Sequence, residues 1–300
     1  MLRLNVFWKK SFVHSLNYMA QVNKKTINLR GRLVDLSVPL VMGIVNSTPD
    51  SFYIGSRVDS SAAVVDRVGV MLNEGASLID VGGYSTRPGA AEVSASEETD
   101  RVLSVIDPLR NYFPDLIISV DTFRSDIARA AIDKGADIIN DVSGGALDED
   151  MFDTVARLGV PYILMHMRGT PGTMSQLTDY DNLVVDIIKE LKGSLDRLRQ
   201  KGVADIWIDP GFGFAKNISQ NFEILKNLSE FKQLGCPILA GLSRKGTIYR
   251  TLGIDAEDAL NGTTVLNTLA LEQGASILRV HDVKAAAEAV KLWIATQRLN

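Results

Sequence analysis

A single cysteine, Cys236, stands in a chain of 300 residues. One thiol can form neither an intramolecular disulfide nor a Cys-rich zinc site, and a reducing, cytoplasmic setting is the expectation. No apolar run approaches the roughly 20 residues that a membrane-spanning helix needs, so no membrane partner is expected. An excess of basic charge is missing too: 32 Lys and Arg face 36 Asp and Glu, a formal net charge of −4. Phosphate backbones are bound by basic fields, so no nucleic-acid partner is expected, while a local site for one small anion stays open. There is also no Gly-x-Ser-x-Gly elbow, no His-Glu-x-x-His, no Walker loop and no Gly-x-Gly-x-x-Gly behind the first apolar run. Those gaps point away from covalent catalysis and toward binding with leaving-group stabilisation.

The first 34 residues lack acids altogether and carry Arg3, Lys9, Lys10, Lys24, Lys25, Arg30 and Arg32. Acid-free basic stretches occur in organellar transit peptides, but serine is sparse here and no cleavage signal is evident. Trp8-Lys9-Lys10 interrupts any secretory apolar core. Residues 1–30 therefore read as a poorly ordered N-terminal extension, with Met19 as a second candidate start, and residues 31–300 as one domain.

What is present is a repeated unit. From Leu40 onward a short apolar run, a polar loop and a longer amphipathic stretch recur. The runs are Leu40 to Val45, Leu78 to Val81, Leu116 to Val120, Asp137 to Ile139, Pro161 to Met165, Ile206 to Ile208, Pro237 to Ala240 and Ser276 to Val280. Short runs rich in Val and Ile read as strands buried on both faces. Helical spacing marks Ser60 to Asn73, Tyr180 to Lys201 and Ala256 to Glu272, and several helices stop at a glycine before the next strand, such as Gly159. Eight alternating units predict an α/β fold, a (β/α)8 TIM barrel; an open doubly wound sheet is the alternative.

Nearly every run ends in a polar residue: Asn46, Asp121, Asn140 with Asp141, His166, Asp209, Ser243 with Arg244 and Lys245, then Arg279 and His281. In a barrel these ends meet on the face that carries active sites. Each taken alone is more simply a helix cap or a loop hydrogen-bonder, but so many together are not. Asp121, Asn140 and Asp209 suit a flat heterocycle whose edge offers adjacent N–H donors to carboxylate oxygens. Arg279 and His281 alternate on the last run and share a face. With Lys245 they form a candidate anion site, in the loops where barrels bind phosphate. Arg244 reads as a solvated cation. In Asp209-Pro-Gly-Phe-Gly-Phe, Phe214 is a candidate wall for a flat ring, and Phe212 reads as core.

These residues fall within longer motifs. Met42-Gly43-Ile44-Val45-Asn46-Ser47-Thr48-Pro49-Asp50-Ser51-Phe52 resembles the opening signature of the dihydropteroate synthase family of pterin-binding enzymes, and Asp80-Val81-Gly82-Gly83-Tyr84-Ser85-Thr86-Arg87-Pro88-Gly89 resembles its second. Further matches are Ser119 to Thr122, Ile139 to Val142, Met165 to Gly169, Asp209 to Phe214, Leu242 to Lys245 and Arg279 to Asp282. The resemblance runs from about Gly31 to the C-terminus and is specific through its order rather than through any one motif. It implies condensation of 6-hydroxymethyl-7,8-dihydropterin diphosphate with p-aminobenzoate to give 7,8-dihydropteroate and diphosphate. It implies a pterin pocket of Asp121, Asn140, Met165, Asp209, Lys245 and Arg279. Arg279, Asn46 and His281 would bind diphosphate with Mg2+, whose protein ligand would be Asn46; the residues carrying catalysis would be Asn46, Lys245, Arg279 and His281. Thr86, Arg87, Phe214 and Ser243 would form the p-aminobenzoate side. It also implies a homodimer through late helices.

The chain departs from the family where Tyr84 replaces the usual Glu and where Tyr53-Ile54-Gly55-Ser56-Arg57 follows the first motif. Two other readings share the fold: a methyltransferase barrel passing a methyl group from a methyl-folate to a corrinoid, and a non-catalytic pterin-binding paralogue. The first has no need of the Ser-Thr-Arg-Pro-Gly, Ser-Arg-Lys and Arg-x-His motifs, and the second would be favoured by loss of Asn46, Lys245 or Arg279; all are present.

Overall fold

The structure is a computed structural model that describes residues 26–47, 57–84 and 92–297. It opens with an antiparallel hairpin, β1 (Thr26–Leu29) and β2 (Arg32–Asp35). The two turn residues, Arg30 and Gly31, have φ of 53° and 77°, the mirror-image turn that matches strand twist in a two-residue hairpin. The folded unit thus includes Thr26, ahead of the boundary expected at residue 31; the expectation for residues 1–25 lies outside the described residues.

Then follow β3 (Leu40–Asn46), α1 (Arg57–Glu74), β4 (Leu78–Gly82), α2 (Ala95–Tyr112), β5 (Ile118–Asp121), α3 (Ser125–Asp133), β6 (Ile138–Asp141), α4 (Met151–Leu158), β7 (Tyr162–Met165), α5 (Leu183–Gln200), β8 (Ile206–Asp209), α6 (Ile218–Lys226), β9 (Leu239–Ala240), α7 (Gly246–Leu252), α8 (Leu260–Glu272), β10 (Ile277–Val280) and α9 (Val283–Gln297). The sheet of β3 to β10 is wholly parallel, in the order β8-β7-β6-β5-β4-β3-β10-β9. A parallel bridge between Ile208 and Ile238 joins its two edges and closes the barrel. All eight apolar runs are strands, and the open-sheet alternative is excluded.

Strand alternation sorts the side chains. On β4, Ile79 and Val81 pack outward with the helices, while Leu78 faces the interior. The lower interior is dry: Leu40, Met42, Leu78, Ile138, Ile163, Trp207, Leu239 and Ile277 form one buried cluster with Ile27 and Leu29 of the hairpin. The hairpin therefore caps the N-terminal mouth, and burying Ile27 and Leu29 contributes about 2 kcal/mol each. With that end sealed, only the C-terminal mouth is left to admit a ligand.

Three helices differ from expectation, the first, α1, in beginning at Arg57 instead of Ser60. Asn182 caps α5 by accepting from the Val185 N–H at 3.3 Å, so the helix begins at Leu183 instead of Tyr180. The stretch Ala256 to Glu272 breaks into a 3-10 turn, Ala256–Asp258, and α8. The carbonyls of Ala256 and Glu257 accept from Arg244 Nη1 at 2.9 and 2.5 Å, which turns them away from an unbroken ladder. Among the described residues no helix is long and apolar enough to cross a membrane.

Candidate active site

Register places Asn46, Gly82, Asp121 and Asn140 side by side on β3, β4, β5 and β6, and Met165 beside Asp209 on β7 and β8. Gly82 is the gap in that row. A Cβ on it would lie 3.7 Å from Asn46 Oδ1 and 3.8 Å from Asp121 Oδ2, so these two oxygens face one another across β4. One step down, in register with each other, are Asp80 and Ser119, both wholly buried.

Arg279 on β10 reaches across this row. Its Nε donates to Asp80 Oδ2 at 2.6 Å and its Nη2 to Asp121 Oδ2 at 2.7 Å. Asn140 Nδ2 donates to the same Asp80 oxygen at 3.0 Å. Burial pushes the Asp121 carboxyl up to about 7 against the pull of Arg279, with Asp80 adding to the rise. Burial also opposes the charge on Arg279, but Asp80 and Asp121 outweigh it and hold the guanidinium above its ordinary range. Asp80 was not among the expected site residues. An acid at an inward position of an otherwise apolar strand was the signal for it, since a buried carboxylate needs a partner. Its Oδ1 and Ser119 Oγ have no hydrogen-bond partner among the described residues.

The loop after β8 forms the opposite wall. Asp209 Oδ1 accepts from the Gly211 N–H at 2.7 Å. Burial raises the Asp209 carboxyl, against the pull of Lys245 and of that N–H. Lys245, at the start of α7, sits 4.5 Å from the centre of the Phe214 ring and donates to the Phe212 carbonyl. Burial depresses it to about 8 despite the attraction of Asp209. Phe212 is core, as its sequence context indicated, and Phe214 is half-buried beside Met165, Val142, Met167 and Ala215. Gly211 has φ 76°, and a Cβ there would meet the His166 carbonyl oxygen at 2.0 Å. Gly211→Ala should therefore destabilise the fold by about 2–4 kcal/mol, through left-handed strain plus a clash with backbone that cannot move aside. A denaturant midpoint equal to wild type would refute this.

The loops after β9 and β10 are latched together. Ser243 Oγ accepts from the His281 backbone N–H at 3.1 Å. Arg244 is not a solvated cation: with φ 52° it grips Asp282 through Nε and Nη2, both at 2.8 Å. A bidentate guanidinium–carboxylate pair fixes both loops, hence Lys245 on one side and His281 on the other. Asp141, by contrast, takes the structural role open to any strand-end acid. It points away from the interior and accepts from Tyr162, Ser143 and Gly145. Thr86 and Arg87 lie outside the described residues. Tyr84, just before them, packs edge-on against Phe123 at 5.3 Å with the Arg124 guanidinium 5.5 Å from its ring centre.

The site is thus a polar cup at one end of a sealed barrel. Carboxylate and amide acceptors line one part, the cations Lys245 and Arg279 another, and an aromatic ring stands at the side. Comparison with known proteins gives the same picture. A family model described as "Pterin binding enzyme" matches residues 42–281. The dihydropteroate synthase of Escherichia coli is 41% identical over 269 residues, spanning 89% of this chain and 95% of that protein. The crystal structure of Xanthomonas albilineans dihydropteroate synthase with 4-aminobenzoic acid superposes with a TM-score of 0.85 at 39% identity, covering 92% of this chain and 99% of that one. The same enzyme in complex with 7,8-dihydropteroate gives 0.82 at 37% identity, covering 92% and 100%. The chain belongs to the pterin-binding enzyme family, among its dihydropteroate synthases.

Proposed function

We infer that this chain condenses 6-hydroxymethyl-7,8-dihydropterin diphosphate with p-aminobenzoate, releasing diphosphate and 7,8-dihydropteroate. The observation that carries the reading is the Arg279 bridge: one guanidinium holds two acids that would face the heterocycle, on the strand that leads into His281, which would meet the leaving group. A methyltransferase barrel has no leaving diphosphate for such a cation to meet.

The chain's own groups fit the chemistry. Asp209, Asp121 and Asn140 would hold the ring edge, with Met165 beneath and Lys245 closing the wall. Arg279 and His281 would hold the diphosphate, so positive charge lies where negative charge grows as the C–O bond breaks. Charge placed in advance lowers that barrier selectively. The cation left on the pterin methylene would then be attacked by the neutral amine of p-aminobenzoate, placed by Phe214, Ser243, Thr86 and Arg87. An aniline nitrogen is already nucleophilic and loses its proton after attack, so no strong base is required.

Magnesium suits the donors at hand. The Asn46 amide oxygen faces the Asp121 carboxylate across Gly82, both hard oxygen ligands. Asn46 would hold the ion, which when bound neutralises diphosphate charge. A homodimer is supported by an apolar outer face on α8 and α9, where Leu260, Val265, Leu269 and Leu292 are exposed. We expect Leu269→Glu combined with Leu292→Glu to turn a dimer into a monomer in sedimentation; a wild type already monomeric at assay concentration would reject the dimer.

The function itself is tested by mixing protein, magnesium, dihydropterin diphosphate and p-aminobenzoate and quantifying both products. Equal amounts of diphosphate and dihydropteroate are expected. Tight pterin binding without either product would overturn the synthase reading in favour of the methyltransferase or the binding-only paralogue.

A further inference from the structure

Below the cup lies a buried cation that the chemistry above does not use. Lys216 is only 8% exposed. Its Nζ contacts His166 Nδ1 at 2.9 Å, the Phe214 carbonyl at 2.8 Å and the Gly211 carbonyl at 3.0 Å. An ammonium has three hydrogens, and this geometry engages all of them. His166 Nδ1 must then accept, which leaves the proton on Nε2 to be donated to Glu190 Oε2 at 2.9 Å. Glu190 is held in turn by Arg168, whose guanidinium lies 3.8 Å from the Tyr180 ring centre, and the Tyr180 hydroxyl donates to the Ala215 carbonyl at 2.9 Å.

We propose that Lys216 is a positioning residue for the reaction, an internal staple that sets the loop carrying Asp209 and Phe214 in its ligand-ready shape. The inference rests on the synthase reading above. Both carbonyls that Lys216 holds belong to the short excursion after Asp209. Gly211 orients the Asp209 carboxylate through its N–H, and Phe214 supplies the aromatic wall. The excursion includes Ala215 at φ 49°, a left-handed conformation that costs a β-carbon residue on the order of 1 kcal/mol and persists only where neighbours hold it. The Lys216 ammonium and the Tyr180 hydroxyl are those neighbours.

The charge state of the staple is balanced near neutrality. Burial depresses Lys216 to about 7, with Asp209 and Glu190 opposing the fall and Lys245 and Arg168 adding to it. Burial, with Lys216 beside it, also depresses His166 to about 4, so the imidazole is neutral and able to accept. A neutral amine has two hydrogens and one lone pair, so it cannot donate to all three partners. Ring affinity should then weaken as pH rises through about 7, loss of the staple outweighing the charge that Asp121 gains over the same range. Lys245, near 8, packs against the same loop from the start of α7 and would add a second, higher limb.

The test measures pteroic acid affinity by calorimetry between pH 6 and 8, with steady-state kcat and KM, for wild type, Lys216→Met and Lys216→Arg. Lys216→Met should weaken pteroic acid binding and raise KM for the dihydropterin substrate by about tenfold or more, the scale of one lost charged hydrogen bond. Lys216→Arg, charged throughout, should restore part of the affinity and lose the limb near 7 while keeping the higher one. A purely structural lysine would lower the melting temperature and leave the affinity of the folded protein and its pH profile unchanged. Affinity within twofold of wild type in folded Lys216→Met overturns the proposal, as does a folded Lys216→Arg that keeps the limb near 7. If neither variant folds, wild type decides: a dissociation constant flat between pH 6 and 7.5 overturns it, and a rise centred near 7 supports it. Wild type that binds pteroic acid but makes no dihydropteroate fails the synthase reading instead, and the two failures are separable.

Discussion

Replacing Arg279 with alanine should lower kcat/KM by about a thousandfold or more, in line with the removal of a placed charge from a transition state. It should also destabilise the fold, because the bridge to Asp80 and Asp121 is structural as well as catalytic. Stripping the cation from buried acids costs about 3–5 kcal/mol when the charge left behind has no other partner. Asp80 is why the fold suffers as well as the reaction: its wholly buried carboxylate loses the donor that holds it at 2.6 Å. Asp121 already sits near 7 with Arg279 lowering it, so removing the guanidinium drives its folded-state pKa higher still. An acid whose folded pKa is raised binds more protons folded than unfolded, so its penalty is absent below the unfolded pKa of about 4 and grows as pH rises toward the folded value. The variant's stability deficit should therefore be largest above pH 7 and shrink toward pH 5. Urea titrations across that range check it, and adding Asp80→Asn should recover part of the loss. A deficit independent of pH, or kinetics equal to wild type, would remove Arg279 from both roles. Arg279→Lys is a useful intermediate case: it keeps one charge but not the planar fork that reaches two carboxylates at once.

The barrel was legible in the sequence because parallel strands buried on both faces must be largely apolar, and the eight runs were, with few exceptions such as Asp80 and Ser119. Strand ends were legible for the same reason: a polar residue breaking such a run must find a partner, and Asp121, Asn140, Asp209 and Arg279 find one another or await a ligand. Periodicity could not distinguish Asp141 from Asn140, its neighbour on the same strand end. Alternation sends one inward and the other toward Tyr162, and only the register settles which. Arg244 was misread because its partner, Asp282, is 38 residues away. Lys216 left no mark at all, since nothing local distinguishes a lysine opening toward solvent from one turned under its own loop. Long-range charge pairing is where the sequence runs out, and here it decides how the two halves of the cup are held.

Asp209→Asn isolates ligand recognition from folding more cleanly than any other change in the cup. The substituted oxygen can keep the Gly211 N–H, which aims the new amide nitrogen into the space the second carboxylate oxygen held. That space lies beside Gly241, where a Cβ would be 3.8 Å from Asp209 Oδ2, and it faces the heterocycle edge proposed to bind there. A donor would then face donors. Losing two charge-assisted bonds to the ring should weaken pteroic acid binding by about 3–5 kcal/mol, roughly a hundred- to several-thousandfold. Stability should move the other way. Burial raises the folded pKa of Asp209, so at neutral pH its charge opposes folding, and the opposition fades as pH falls to the unfolded value. A neutral amide of the same shape removes it. The variant should melt no lower than wild type at pH 7.5, and its advantage should vanish near pH 4. Calorimetric binding and thermal melts on one preparation decide the matter. Near-native affinity would show that the ring is not read by this carboxylate, and a melting point well below wild type would show that Asp209 is there to hold the barrel rather than the substrate.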